Sequence, residues 1–511
     1  MNLLSDPLIS VATADGVSRV SLPGVLALVA RGDIEAFPRL RAHQTHAWHT
    51  LVVQLGALAL LNAGVAQPPT CARRWRALLS SLSNDDDRPW HLVAGDPREP
   101  AFLQPPTPEG TEPPTFLKPC PDDLDVVVTS RNHGQKSSRL VHAEPEDWVF
   151  ALTTLQTMSG MMGPGQFPIM RMSAATSARP VVSLTPDPRP GAHMRRDLLG
   201  ILDLRSRRPG LSGLSGDLSP LIWTLPWGGR ADEGIALQRV DPLCIEICRR
   251  VRLFRPDPDR RDALAAATAK TAKPRMLAAL SREGLAGDVG DPWIPVARKT
   301  RKALRPPETG IEMRLMTEVL FDPATWDPAP LQNPLTGDPD GAMTCIFRAL
   351  TFGRSSVSYN EGRLRIPRQG RRLLLNPDTQ GCVGRLLQGA MADARDVRNK
   401  ALAPAVLTWL QDGPRQVDGA RDQDADMRRE IEQVYDRAVD RAVGELIAGI
   451  AGDPPHYADG VRAGWLDRLE VITNDAFDIL LDRAPRNGTR AVRAGSLARG
   501  RMDAALDRLS G

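Results

Sequence analysis

Residues 145–184, PEDWVFALTTLQTMSGMMGPGQFPIMRMSAATSARPVVSL, place a helical pattern, a glycine-rich loop and a strand pattern in direct succession. Trp148, Leu152, Leu155 and Met158 repeat at helical spacing from a start near Pro145, and Gly160 predicts a left-handed stop. Val181 to Leu184 is a short run of strand formers. Between the two, Gly160, Gly163 and Gly165 let main-chain N–H groups approach a phosphate or a groove edge, with Arg171 and Arg179 supplying charge close by. Plain loop closure accounts for the same glycines, so the segment defines local architecture more firmly than it defines a ligand.

Outward from this segment, helix and strand signals mix irregularly up to about residue 370. His49 to Ala63 reads as a buried helix ending at Gly64, whereas Leu124 to Thr129 and LCIEICRRVRL (243–253) read as strands. Proline-rich Gln104 to Pro114 and charged Arg255 to Lys302 read as long surface excursions. Beyond residue 371 the pattern changes to four amphipathic stretches: Val383 to Leu410, Met427 to Ile450, a third carrying Trp465, Leu469, Ile472, Ala476 and Ile479, and Val492 to Leu509. The second carries Ile431, Val434, Ala438, Ala442 and Leu446 as its stripe, and Gly413-Pro414, Asp453-Pro454-Pro455 and Pro485 to Gly488 mark the breaks. The expected class is therefore α+β, with a large mixed α/β domain over residues 1–370 and a C-terminal four-helix bundle over 371–511.

A chain of 511 residues exceeds one ordinary core, and 42% hydrophobic residues are enough to build more than one. The net charge is only +4, so any argument for a polyanionic partner rests on where arginines cluster. Four groups stand out: Arg249, Arg250, Arg252 and Arg255; Arg298, Lys299, Arg301 and Lys302; Arg363, Arg365, Arg368, Arg371 and Arg372; and Arg483 to Arg501. Each alone fits a solvated face, but together they favour a polyanion. The 6 cysteines lack a CxxC pair, which points to a reducing compartment and away from disulfides or structural zinc. On a strand, Cys244 and Cys248 would stand about 13 Å apart, too far to share a metal. No secretion signal or membrane-spanning run is apparent, and a cytoplasmic location is expected.

His43, His46 and His49 form the sole histidine cluster, and a metal-dependent nuclease centre is the sharpest enzymatic reading. On a helix the three fan across about 120 degrees, which argues against a shared ion. No P-loop, dinucleotide fingerprint, GxSxG or HExxH pattern occurs, so the sequence nominates no catalytic centre and no cofactor. Two loops suit nucleic acid better. TSRNHGQKSSRLVH (129–142) offers Arg131, Asn132, His133, Lys136 and Arg139 without a large apolar anchor, a set suited to phosphates, sugars and unpaired bases. A flexible loop of no function has the same composition. FGRSSVSYNEGRLRI (352–366) reads as a hairpin turning at Asn360-Glu361-Gly362, with Arg354, Ser355, Ser356, Val357 and Ser358 near its tip.

Taken in order, MNLLSDPLISV (1–11), RAHQTHAWH (41–49), VVVTSRNHG (126–134), EPEDWVFALTTLQT (144–157), RMSAATSARP (171–180), GDPWIPV (290–296) and the terminal helices resemble the CasA family, the large subunits of type I-E CRISPR Cascade complexes. The resemblance runs through essentially the whole chain. It implies a non-enzymatic subunit whose partners are the 5′ handle of a CRISPR guide RNA, double-stranded target DNA, the other Cascade subunits and a recruited helicase-nuclease, with no membrane. By position it implies that Arg131, Asn132, His133, Lys136 and Arg139 contact the guide RNA. It implies likewise that Gly163, Pro164, Gly165 and Gln166, with Lys270 or Lys273, meet the protospacer-adjacent motif in the minor groove. The stretch Arg354 to Ser358 corresponds to a wedge that parts the first base pairs. Where some relatives carry glutamine at the wedge tip, this chain reads Ser355-Ser356-Val357-Ser358, and it lacks the cysteine-rich stretch some relatives have near the middle. An interaction subunit that docks a different effector remains a competing reading.

Overall fold

The computed structural model describes residues 1–129, 140, 142–169, 171, 178–207, 218–236, 239–257, 259, 263–277, 290–308, 310–352, 356–375, 377–413, 417–418, 422–452 and 457–510. The chain divides into two units, one of Met1–Ile311, Thr325–Pro339 and Thr344–Arg363, the other of Glu312–Ala324, Asp340–Met343 and Leu364–Gly511. The class is α+β, as the patterning implies.

The first unit opens with an antiparallel pair, β1 (Ile9–Thr13) and β2 (Gly16–Val20), followed by α1 (Leu22–Arg31), α2 (Thr45–Asn62) and α3 (Ala72–Ser81). Ser21 caps α1 by accepting the Gly24 N–H at 3.4 Å, and Gly32 ends it in a left-handed conformation. Helix α2 is buried on every side from His46 to Leu60, and Trp48 sits edge-on between Phe37 and Phe150 at centroid distances of 5.9 and 5.1 Å. It is the axis on which the unit's core is assembled.

Next come β3 (Phe116–Lys118), the single turn α4 (Val126–Thr129), α5 (Pro145–Met158), β4 (Val181–Thr185) and α6 (Pro190–Arg207). The strand expected at Leu124 to Thr129 is thus helical. Asp125 is the cause: its Oδ1 accepts the N–H groups of Val127 and Val128 at 3.0 and 3.3 Å, and this cap outweighs the strand preference of three valines. Helix α5 is buried around its whole circumference rather than on one stripe. Its Glu146 carboxylate accepts the Ser10 N–H and hydroxyl at 2.8 and 2.6 Å, and Asp147 pairs with Arg39.

The remaining strands of this region are β5 (Arg250–Phe254), β6 (Ala265–Ala269) and β7 (Val296–Ala297); then α7 (Met313–Phe321), β8 (Trp326–Asp327), β9 (Met343–Phe352) and β10 (Val357–Ile366) complete the run. The small sheets have orders β3-β6-β5, β10-β9-β4 and β7-β8. Strand character in 243–253 is confined to the end from Arg250, so Cys244 and Cys248 are not on a strand; both are buried, and burial pushes the Cys244 thiol up to about 12. The two supposed surface excursions are partly interior. Strand β6 lies between β3 and β5, and the buried Gln104 carboxamide donates to Leu92 O and Phe102 O while accepting the Leu253 N–H.

In the second unit α8 (Pro377–Val397) runs through one π turn, Arg398–Leu402, into α9 (Ala403–Leu410). Pro404 has no N–H to donate, and the helical ladder widens just before it. With α10 (Asp422–Gly452), α11 (Tyr457–Arg483) and α12 (Thr489–Ser510) this composite helix gives the four expected helices. The buried face of α10 runs through Ile431, Tyr435, Val439, Ala442 and Leu446, one residue off the expected stripe at two positions. Trp465 donates to Ala390 O at 2.8 Å and Trp409 to Ala484 O at 3.1 Å, pinning indoles across helices. Helix α7, from far upstream, belongs to this unit, where Gln380 on α8 donates to Leu320 O at 2.6 Å.

Candidate nucleic-acid interface

Helix α5 stops at Met158 because Ser159 turns extended (φ −73°, ψ 136°), not because Gly160 is left-handed. Gly160 serves close packing instead: a Cβ there would stand 3.1 Å from the Phe352 ring. The left-handed residues are Gly163 (φ +129°) and Gly165 (φ +76°). Pro164 followed by a left-handed glycine is the order a type II turn requires, and Gln166 N–H donates to Gly163 O at 3.0 Å to close it. The Gly165 carbonyl accepts the Thr271 N–H at 3.0 Å, so the turn is tied to the end of β6. A side chain at Gly165 would meet Lys270 Cβ at 2.7 Å. The expected set Gly163, Pro164, Gly165, Gln166 and Lys270 therefore converges, although the lysine lies far from the turn in sequence. Lys270 is exposed and borders, with Gln166, a cleft of about 370 Å³; Lys273 is exposed but does not line it.

Arg171 and Arg179 are different from expectation. Each is only 2% exposed and neither is offered to a ligand. Arg171 bonds Glu246 at 3.2 Å and Asp291 at 2.9 Å; Arg179 reaches the same Asp291 at 2.7 Å and Gln54 at 3.0 Å, with its guanidinium 5.1 Å from the Trp293 ring centre. Burial pushes Arg179 down to about 10, whereas for Arg171 the neighbouring Cys244, Asp291 and Glu246 outweigh burial and raise it. Three of the four in the first arginine group are interior too: Arg249, Arg250 and Arg252 are 5 to 7% exposed and donate to main-chain carbonyls, among them Gly160 O and Asp96 O, while Arg255 is exposed.

The hairpin is real but turns elsewhere. Asn360, Glu361 and Gly362 lie inside β10, and the reversal falls between Phe352 and Val357. Arg354 and Ser355 lie outside the described residues. Ser356 and Ser358 are partly exposed, but Val357 is 3% exposed in the core and unavailable to a DNA groove. A brace that the sequence reading missed holds this strand: Glu361 accepts Arg348 Nε at 2.9 Å, the Tyr359 hydroxyl at 2.7 Å and Arg363 Nε at 2.6 Å. Burial opposes the charge on Glu361, yet Arg348 and these hydrogen bonds hold it at about 2. The signal was there as period-two spacing of Tyr359, Glu361 and Arg363 on one strand face. The guide-RNA candidates Arg131, Asn132, His133, Lys136 and Arg139 lie outside the described residues.

The three histidines diverge. His43 Nε2 contacts Asp125 at 2.5 Å, His49 Nε2 contacts Asp197 at 2.8 Å, and His46 stacks 5.8 Å from the Tyr359 ring centre without a hydrogen-bond partner among the described residues. They cannot form the shared metal centre of the nuclease reading. A different trio, His49, His193 and Asp197, brings ligand atoms within 4.8 Å of one another. Its atoms are already engaged: Asp197 Oδ2 also accepts Trp293 Nε1 at 2.8 Å, and His193 Nε2 faces Ser183 Oγ at 2.6 Å. Asp197 Oδ1 has no hydrogen-bond partner among the described residues and lies 3.7 Å from Arg196, so the trio is a set of core contacts in which Oδ2 carries the hydrogen bonds.

No protein-family model matches the sequence, and no curated sequence matches it significantly. Solved structures do match over their full length. An α+β body followed by terminal helices in this order is the class shared by CasA from Thermus thermophilus (TM-score 0.60, 16% identity, 99% of each chain), Cse1 from Acidimicrobium ferrooxidans (0.61, 17%, 100% and 98%) and Thermobifida fusca Cse1 (0.60, 13%, 100% and 98%). The chain has the CasA/Cse1 fold.

Proposed function

We propose that this chain is the non-catalytic large subunit of a type I-E CRISPR Cascade complex, which reads the protospacer-adjacent motif in duplex DNA, helps to open it and recruits the helicase-nuclease. The observation that carries the reading is the meeting of the Gly163–Gln166 turn with Lys270 in a chain that shares the CasA/Cse1 fold end to end. A backbone turn beside one lysine suits the minor groove, whose donor and acceptor code is degenerate, so such a reader tolerates several motifs. Arg131, Asn132, His133, Lys136 and Arg139 are assigned to the guide-RNA handle, and Ser356 with Ser358 to the wedge.

Two variants test the reading at the turn. Gly165→Ala places a Cβ against Lys270 at a left-handed backbone position, and Lys270→Ala removes the groove cation. Both are expected to reduce discrimination among flanking sequences by about tenfold in binding assays on the assembled complex, the scale of a single base-pair error. Unchanged flank preference in both would remove the turn from the recognition site.

The positioning charges give a separate expectation. Arg368 pairs with Asp340, Arg483 with Glu430 and Arg499 with Asp478 at exposed sites where ion pairs are weak and a phosphate competes readily, whereas Arg363, itself exposed, is held by the partly buried side chain of Glu361. Alanine at any of these that tracks the duplex should weaken all DNA sequences alike and flatten the log–log salt slope by about 0.9 per lost contact. A shift in motif preference instead would show that the residue reads sequence.

A further inference from the structure

We propose that the cleft beside the glycine turn holds one unpaired nucleotide, its base stacked on Phe116 and its phosphates between Lys118 and Lys270. The inference takes nucleic acid as the ligand and so rests on the function proposed above; it shares Lys270 and Gln166 with the motif turn and adds Phe116 and Lys118, which the turn does not require.

Phe116 is 57% exposed, which is unusual for a phenylalanine on a sheet, and it lines the cleft. The strand register explains both facts. Phe116 lies opposite Thr268 and the half-buried Lys118 opposite Ala266, so small residues leave the ring uncovered on one face of the β3/β6 pair, as Ala267 leaves Leu117 on the other. Lys270 continues that face two residues beyond Thr268. Gln166 stands across the cleft, and Leu124 and Leu155 give it an apolar lining.

The chemistry is that of a nucleotide site. An exposed aromatic ring offers a stacking platform, and paired cations offer phosphate contacts. The free carboxamide of Gln166 can pair with the edge of a base. Among the described residues, Lys118, Lys270 and Gln166 have no side-chain hydrogen-bond or ion-pair partner. Asp123 is the acidic residue at the rim, and its carboxylate already accepts the Cys120 N–H at 3.1 Å. A volume of about 370 Å³ lies within the range of small-ligand sites.

The base can come from target DNA opened beside the motif or from the guide-RNA handle. The test is a cycle on the full guide-RNA complex, with Phe116→Ala and Phe116→Trp set against single abasic nucleotides placed in turn along both DNA strands beside the motif and along the handle. Phe116→Ala is expected to weaken binding about tenfold, the loss of one stacked base, while Phe116→Trp retains it. At one position the abasic substitution should cause the same loss and make Phe116→Ala silent; the strand that carries this position identifies the source. Parent-like binding by Phe116→Ala on every substrate, or a loss that persists on every abasic substrate, overturns the site. Flank enrichment by the parent complex is read in the same experiment. If no flank is enriched but the cycle closes, the motif reading fails and the nucleotide site stands.

Discussion

Asp291→Ala is expected to destabilise the first unit by about 3–5 kcal/mol, measured as a lowered denaturant midpoint of the purified chain. Asp291 is buried and serves both Arg171 at 2.9 Å and Arg179 at 2.7 Å. Removing it leaves two buried guanidiniums, with Glu246, 3.2 Å from Arg171, as the other carboxylate of the cluster. The attraction given up is only part of the effect. The larger part is the desolvation of cations that no longer have a counter-charge. Because Arg171 and Arg179 flank the glycine turn's continuation and the entry to β4, loss of this clamp should also broaden flank preference. A destabilisation below about 1 kcal/mol would show that the arginines find other partners.

Acid should unfold the same unit through its buried imidazoles. Burial pushes His46 to about 3, and burial with the nearby His49 and Arg348 holds His193 well below its ordinary value. An unfolded chain takes up protons at these positions near pH 6.5, while the folded chain refuses them until far lower pH. Between those limits the unfolded state binds more protons, so stability falls as the pH drops, by up to about 1.4 kcal/mol per pH unit for each such histidine. Glu361, held at about 2 against 4.5 when unfolded, acts in the same direction but only below its unfolded value. Between pH 6.5 and 5 the histidines act against Asp440 of the second unit, whose carboxyl burial raises to about 6, so their share is read as the difference in melting temperature between the parent and the His46 variant. His46→Phe, which keeps an aromatic ring beside Tyr359, is expected to shallow that dependence by about half; an unchanged profile would mean that His46 is hydrated.

The sequence was most legible where one physical effect dominated. The helix from Pro145 and the terminal helices follow from periodicity, and the strand at Val181 from its run of strand formers. It failed where a cap outweighed residue preference or a distant group decided the outcome. Asp125 stands directly before Val126–Val128 but three valines read as strand, and nothing near Arg171 says that Asp291 and Glu246 draw it inside. The hairpin at 352–366 is legible, but Asn360-Glu361-Gly362 resembles a turn and is used as strand, because Glu361 is taken up by Arg348 and Tyr359. At the site, residue types suggest the turn and the lysine separately. Their contact depends on β6, which stays hidden while Arg255 to Lys302 is taken for a surface excursion.

The most direct test compares guide-RNA complexes assembled with and without this chain, binding a library of duplexes that carry a matched target beside a randomised flank. Adding the chain is expected to enrich particular flanks and to increase strand opening next to them, measured by the reactivity of unpaired bases. Equal recovery of all flanks, with no added opening, would contradict the motif-reading role and leave the CasA/Cse1 fold as shared architecture without the shared role.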